Sequence, residues 1–139
     1  MAIGGQTGTV TRFQPLRILL AGRDRRYIRV TSFLLEQRGY VVRAAKPDDA
    51  ADAAKRHRAD VVLLEGDRMR TDAARCAAAI VALNPTVHVI LMVDATSNGP
   101  TGLTMLRKWA ELDELVDEIE GAALRSDASA ILPVEDGAA

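Results

Sequence analysis

Long apolar runs are missing from this sequence, and no stretch approaches the roughly 20 residues that a membrane span requires. Disulfides are excluded as well, because Cys76 is the only cysteine and a lone thiol fits a reducing compartment. Aromatic residues make up 4% of the chain, too few for the stacking platform that single-stranded nucleic acid needs. A net charge of -1 with a pI near 6.1 gives no global field toward nucleic acid or an anionic membrane, so any such contact would need a local patch. The opening residues, MAIGGQTGTVTRF, lack the charged start and apolar stretch of a secretion signal, which points to the cytoplasm. Neither G-x-G-x-x-G nor G-x-x-x-x-G-K-[ST] occurs, which removes the usual dinucleotide and triphosphate loops. His57 and His88 stand far apart without partners at metal-ligand spacing, and no Ser, His and Asp grouping suggests hydrolysis. No enzyme activity, metal or cofactor is therefore expected.

What is present is a chain of 139 residues, 48% hydrophobic, which suits one domain with a single core. Residues 1–15 are rich in Gly, Thr and Gln without a period and read as a flexible arm. From there short apolar runs alternate with helical patterns. LRILLA (16–21), YVVRAA (40–45), DVVLL (60–64), VHVILMV (87–93) and GLTMLRK (102–108) read as strands. Between the first two, Ile28, Phe33, Leu34 and Leu35 fall near helical spacing before Gly39 ends the helix. Pro47 opens the next helix, with Asp48 and Asp49 at its positive end and basic residues near its negative end. An Ala-rich stretch at 71–85 follows, with Thr71 as N-cap and Cys76 as a small core residue. The helix at 111–124 carries Leu112, Leu115, Val116 and Ile119 on one face, and residues 125–139 read as a flexible tail.

Alternating strands and helices with near-continuous apolar strands describe an α/β domain, a doubly wound parallel sheet covered on both faces. In such folds sites lie beyond the carboxyl ends of the strands. That rule brings Gly22 to Arg25, Glu65 to Met69, Val93 to Thr96 and Lys108 toward one another.

The strand order together with RILLAGRD, LLEQRGYVV, ADVVLLEGDRM and KWAELDEL at these spacings resembles the receiver domain of bacterial response regulators over residues 16–124. The resemblance implies a CheY-like, flavodoxin-like fold with five strands in the order 2-1-3-4-5. It also implies a signalling role in a two-component or phosphorelay system. Receivers of this family hold Mg²⁺ with an acidic pair after the first strand and phosphorylate an Asp after the third, read out by a hydroxyl, a Lys and an aromatic residue. Here the acidic pair falls on Gly22 and Arg23, leaving Asp24, and the phosphoacceptor position is Glu65. Val93 stands at the hydroxyl position and Met105 at the aromatic one, while Lys108 matches. Trp109 replaces the proline after the Lys, which disfavours a cis bond there, since a non-prolyl cis peptide costs about 2.5 to 4 kcal/mol. The short interval from Val93 to Lys108, with ATSNGPTG at 95–102, implies a shortened or missing fourth helix.

Mg²⁺ wants several hard oxygen ligands in near-octahedral geometry, and a permanent cation in the pocket opposes it. The expectation is an Arg23 to Glu65 ion pair with Lys108 nearby in place of the metal. Glu65 then acts as a standing charge, a partial mimic at best, because a phosphoryl group brings about 1.5 to 2 charges and three acceptor oxygens. The resulting reading is a stand-alone pseudo-receiver that works by protein contact independently of phosphorylation. Its expected surface includes Met105 and Trp109, with Leu103, beside a helix rimmed by acidic residues. The partner is a signalling protein or a second copy in a homodimer. Two alternatives stay open: a divergent phosphoacceptor using Glu65 or Asp67, and an anion or nucleotide sensor using Arg23, Arg25 and Arg26 at a helix N-terminus.

Overall fold

The computed structural model describes residues 14–66, 70–93 and 104–138, with the side chains of 70–72 and 126–138 left aside. The elements are β1 (Arg17–Ala21), α1 (Arg25–Gln37), β2 (Val41–Ala45), α2 (Ala50–His57), β3 (Val61–Glu65), α3 (Arg70–Leu83), β4 (His88–Val93), β5 (Thr104–Arg107) and α4 (Leu112–Ala138). A 3₁₀ turn over Pro47–Asp49 leads into α2. The strands are all parallel and lie in the order β2-β1-β3-β4-β5, a flavodoxin-like sheet.

Alternation along each strand divides the core in two. Ile18, Leu20, Val61, Leu63, Ile90, Met92 and Leu106 face α1 and α4, where Tyr27, Leu35, Leu115 and Ile119 meet them. Leu19, Ala21, Val62, Leu64, Val89 and Leu91 face α2 and α3, where Ala50, Ala54, Ala77 and Ile80 pack. The second layer relies on alanines, which let its helices approach the sheet closely. Buried on both faces, the middle strands show the unbroken apolar runs from which they were read.

The chain's punctuation follows the sequence at Gly39, whose φ of +94° a residue with a Cβ adopts only under strain. Arg58 ends α2 in the left-handed region without being glycine. Three expectations differ. The buried face of α1 is Tyr27, Thr31 and Leu35, at four-residue intervals, so Phe33 and Leu34 turn outward. Thr71 lies inside α3, which begins at Arg70, and is not its N-cap. The backbone of α4 continues past the 111–124 read from the sequence to Ala138, with Pro133, which has no N–H to donate, inside it. The arm at 1–13, Asp67, Leu103 and the 94–103 interval of the shortened fourth helix lie outside the described residues. No helix among the described residues is long and apolar enough to cross a membrane.

Candidate functional site

Parallel register aligns the strand ends: Ala21 pairs with Ala45 and Leu64, Glu65 with Met92, and Val93 with Arg107. The residues that follow therefore converge at one edge, as the topology rule requires. Lys108 is anchored there by its own backbone, its N–H donating to the Val93 carbonyl at 2.6 Å.

Glu65 reaches from the end of β3 into the loop after β1. Its Oε1 accepts hydrogen bonds from the backbone N–H of Arg23 at 2.7 Å and of Asp24 at 3.0 Å. Its Oε2 meets the Lys108 ammonium. Both oxygens are thus engaged, and the side chain is 12% exposed. Gly22 makes this reach available, because an ideal Cβ there would fall 2.7 Å from Glu65 Cβ.

Asp24 performs two tasks at once. Its Oδ1 caps α1 by accepting from Tyr27 N–H at 3.1 Å, and its Oδ2 accepts from Lys108 Nζ at 2.9 Å. The bond from Lys108, followed by the one from Tyr27 N–H, holds the Asp24 carboxyl below its usual value of 3.8. Burial works against the Lys108 charge, but the hydrogen bonds it donates to Glu65 and Asp24 outweigh it and push the amine up to about 12. Lys108 Nζ also stands 5.3 Å from the centroid of the Tyr27 ring, a cation over an aromatic face. Burial raises the Tyr27 phenol to about 12 and keeps it neutral. Trp109, 56% exposed, meets Tyr27 edge to face with the centroids 5.0 Å apart.

The expected guanidinium pairing does not form. Arg23 contributes its backbone N–H to Glu65, while its side chain turns outward to Asp48 at 4.0 Å and is 65% exposed. The physical reason is competition, since the two loop N–H groups and a nearly buried ammonium already occupy the Glu65 oxygens. Lys108 is the cation that holds Glu65. Val93 is partly buried and packs against the α2 and α3 side of the core. Met105 packs on that same side, whereas Trp109 lies with Tyr27 on the other, so the two do not form one surface. Strand alternation explains the separation, because Leu106 takes the Tyr27 side and its neighbour Met105 takes the opposite one. The exposed apolar residues of α1 that share a small cavity with Trp109 are Val30 and Leu34. Arg23 and Arg25 line a groove of roughly 590 Å³ with Arg29 and Lys46, and Arg26 is exposed next to Arg25 on α1. Tyr27 was not singled out by sequence reasoning, although its spacing to Thr31 and Leu35 carries the signal.

The residues present do not fit the Mg²⁺ of receivers. Glu65 and Asp24 both turn to the Lys108 ammonium, and no group of three or more acidic, His or Cys residues suited to a metal exists among the described residues. Gly22, where an acidic residue would stand, has its side-chain volume filled by Glu65. The site has the chemistry of a closed ion cluster: three charged groups and three backbone N–H donors satisfy one another.

A scan against protein-family models and a search of the curated proteins give no match. Solved structures do match. The receiver domain of the hybrid histidine kinase CckA is 21% identical with a TM-score of 0.65, covering 77% of this chain and 98% of that one. A CheY-like response regulator receiver domain protein from Methanospirillum hungatei JF-1 is 17% identical with a TM-score of 0.72, covering 84% and 99%. A response regulator receiver domain protein from Clostridium thermocellum is 21% identical with a TM-score of 0.68, covering 81% and 98%. The class is therefore a doubly wound, flavodoxin-like α/β domain. Within that class its fold is the CheY-like fold of response regulator receiver domains.

Proposed function

We propose that the chain is a receiver-type signalling module of a bacterial two-component or phosphorelay system, acting in the cytoplasm through protein contact and without phosphorylation. It binds and does not catalyse. One observation carries this reading: the Lys108 ammonium bonds both Glu65 and Asp24 while Glu65 Oε1 accepts two backbone N–H groups. A carboxylate saturated in this way is a poor nucleophile and a poor metal ligand. It serves as a permanent negative charge that holds the loop after β1 and the end of β5 together. What that holding presents is the exposed face of Trp109 with Val30 and Leu34 of α1, which line one small cavity with it. An exposed aromatic beside aliphatic side chains suits an interface anchor, and the occupant is a signalling protein or a second copy of the chain.

Incubation with acetyl phosphate and Mg²⁺ followed by intact mass spectrometry tests the phosphorylation claim. The expected result is no mass increase of one phosphoryl group. A phosphoryl group located on Glu65 or Asp67 would make the chain a divergent phosphoacceptor instead. The contact claim is tested by comparing partners retained by the protein and by Trp109→Ala, alongside sedimentation of both. Identical partners and identical association states would exclude the Trp109 face.

A further inference from the structure

A second cluster lies at the opposite end of the sheet. Arg17 opens β1 and Arg43 stands on β2 opposite Leu19, so both project from the sheet face that α2 covers. The last turn of α2 supplies Arg56 and His57, and Arg58 follows in the left-handed conformation. These five residues line a cleft of roughly 570 Å³, inside the range of small-molecule sites. Among the described residues no carboxylate lines it. The nearby Asp60 carboxylate accepts from the Arg17 backbone N–H at 2.8 Å. Among the described residues, none of the four guanidiniums has an ion-pair partner.

Like charges converging without counter-charge repel one another, and the helix dipole accounts for only part of this arrangement. The negative end of α2 favours Arg56 and His57, but Arg17 and Arg43 come from strands. Burial, with smaller contributions from the Arg17 and Arg43 charges, keeps the His57 imidazole below the usual 6.5. Its Nε2 is buried without a hydrogen-bond partner among the described residues. The remaining lining among the described residues is Leu19, Ala44 and Ala53, with no aromatic ring beyond the imidazole on which a base could stack.

We propose that this cleft binds a small anion carrying two or more phosphoryl groups, held by Arg17, Arg43, Arg56 and Arg58. Magnitude selects that class. Four guanidiniums face a ligand whose two phosphoryl groups bring about three to four negative charges, whereas a carboxylate brings one. Guanidinium forks match phosphate oxygens in bidentate fashion, and the lining offers little to an organic moiety. The cleft lies away from Lys108 and uses none of Arg23, Arg25 or Arg26.

Isothermal titration at constant ionic strength tests it, using inorganic pyrophosphate, tripolyphosphate, ATP and orthophosphate. Pyrophosphate and tripolyphosphate should bind once per chain, at least about tenfold tighter than orthophosphate. Arg43→Gln and, separately, the exposed Arg56→Gln should each weaken binding about tenfold, with circular dichroism confirming the fold, whereas Arg25→Gln and Arg29→Gln should not. The His57 ring resonances should shift with pyrophosphate. ATP binding like tripolyphosphate would assign recognition to the phosphates, and tighter ATP binding would extend the ligand to nucleotides. Heats matching those of chloride, equal losses in Arg25→Gln and Arg43→Gln, or tighter binding of a DNA oligonucleotide than of tripolyphosphate would overturn the proposal.

Discussion

Gly22 and Glu65 share one volume: the side chain absent from the loop after β1 is the space that the longer carboxylate from β3 fills, with Glu65 Cβ 2.7 Å from where a Gly22 Cβ would be. Gly22→Ala should therefore force Glu65 off the Arg23 and Asp24 N–H groups and cost about 1 to 3 kcal/mol. Glu65→Asp keeps the Cβ but withdraws the carboxylate end, whose Oε1 and Cδ also meet a Gly22 Cβ, and should recover that part of the loss in the Gly22→Ala background. Urea denaturation of the four proteins in this cycle should give a coupling of roughly 0.5 to 3 kcal/mol. Additive costs would mean that the two residues do not compete for space.

Lys108 pairs with two carboxylates from a nearly buried position, 9% exposed. Lys108→Met keeps the aliphatic stem and leaves Glu65 and Asp24 facing each other uncompensated. The expected loss is about 2 to 3 kcal/mol, less than the roughly 3 to 5 for a fully buried pair because Asp24 remains 36% exposed. Adding Glu65→Gln to that variant should restore stability, since it removes an unpaired charge. Chemical denaturation of the single and double variants measures both effects.

The same cluster sets the pH dependence. Lys108, raised from 10.5 to about 12, contributes stability that is fully present below pH 10.5 and is lost as pH rises through about 12. Asp24, depressed from 3.8, contributes stability present above that value and lost as pH falls through its lower folded value. Burial holds His57 and His88 below 6.5, so each adds stability above 6.5 that declines as acid protonates it. The Tyr27 phenol, raised by burial from 10.0 to about 12, costs stability from pH 10 upward, so stability should be greatest between pH 6.5 and 10. Asp24→Asn should remove the lowest part of the acid limb and soften the alkaline one, as read from urea midpoints against pH.

These groups were not equally legible in the sequence. Glu65 and Lys108 stand at the ends of apolar strands, so the topology rule alone brought them together. Arg23 was placed correctly on the loop, but its charged end was not, because spacing says where a backbone lies and not which way a long side chain turns. The donors that replaced it are backbone N–H groups, which leave no trace in residue identity. Tyr27 escaped notice for a related reason: the helix face was sought among apolar residues, and the buried stripe includes Thr31. Met105 and Trp109 are close in sequence, yet alternation and the turn after β5 send them to opposite sides of the sheet.

Trp109 separates packing from recognition. It is more than half exposed, and its described ring contact is the edge-to-face one with Tyr27. An aromatic pair of this kind adds about 0.5 to 1.5 kcal/mol beyond burial, so Trp109→Ala should lower stability by about 1 kcal/mol, and Trp109→Phe by less. As the only tryptophan, it also reports its surroundings, and its fluorescence in the folded protein should be red-shifted relative to a buried indole and quenched by acrylamide. Binding of a partner over this face should shift the emission to the blue and protect it from the quencher. Lys108→Met should alter the same signal without touching the indole, because the residue that precedes Trp109 would lose both of its carboxylate anchors. A Trp109 spectrum unchanged by Lys108→Met would show that the ion cluster and the exposed face are independent.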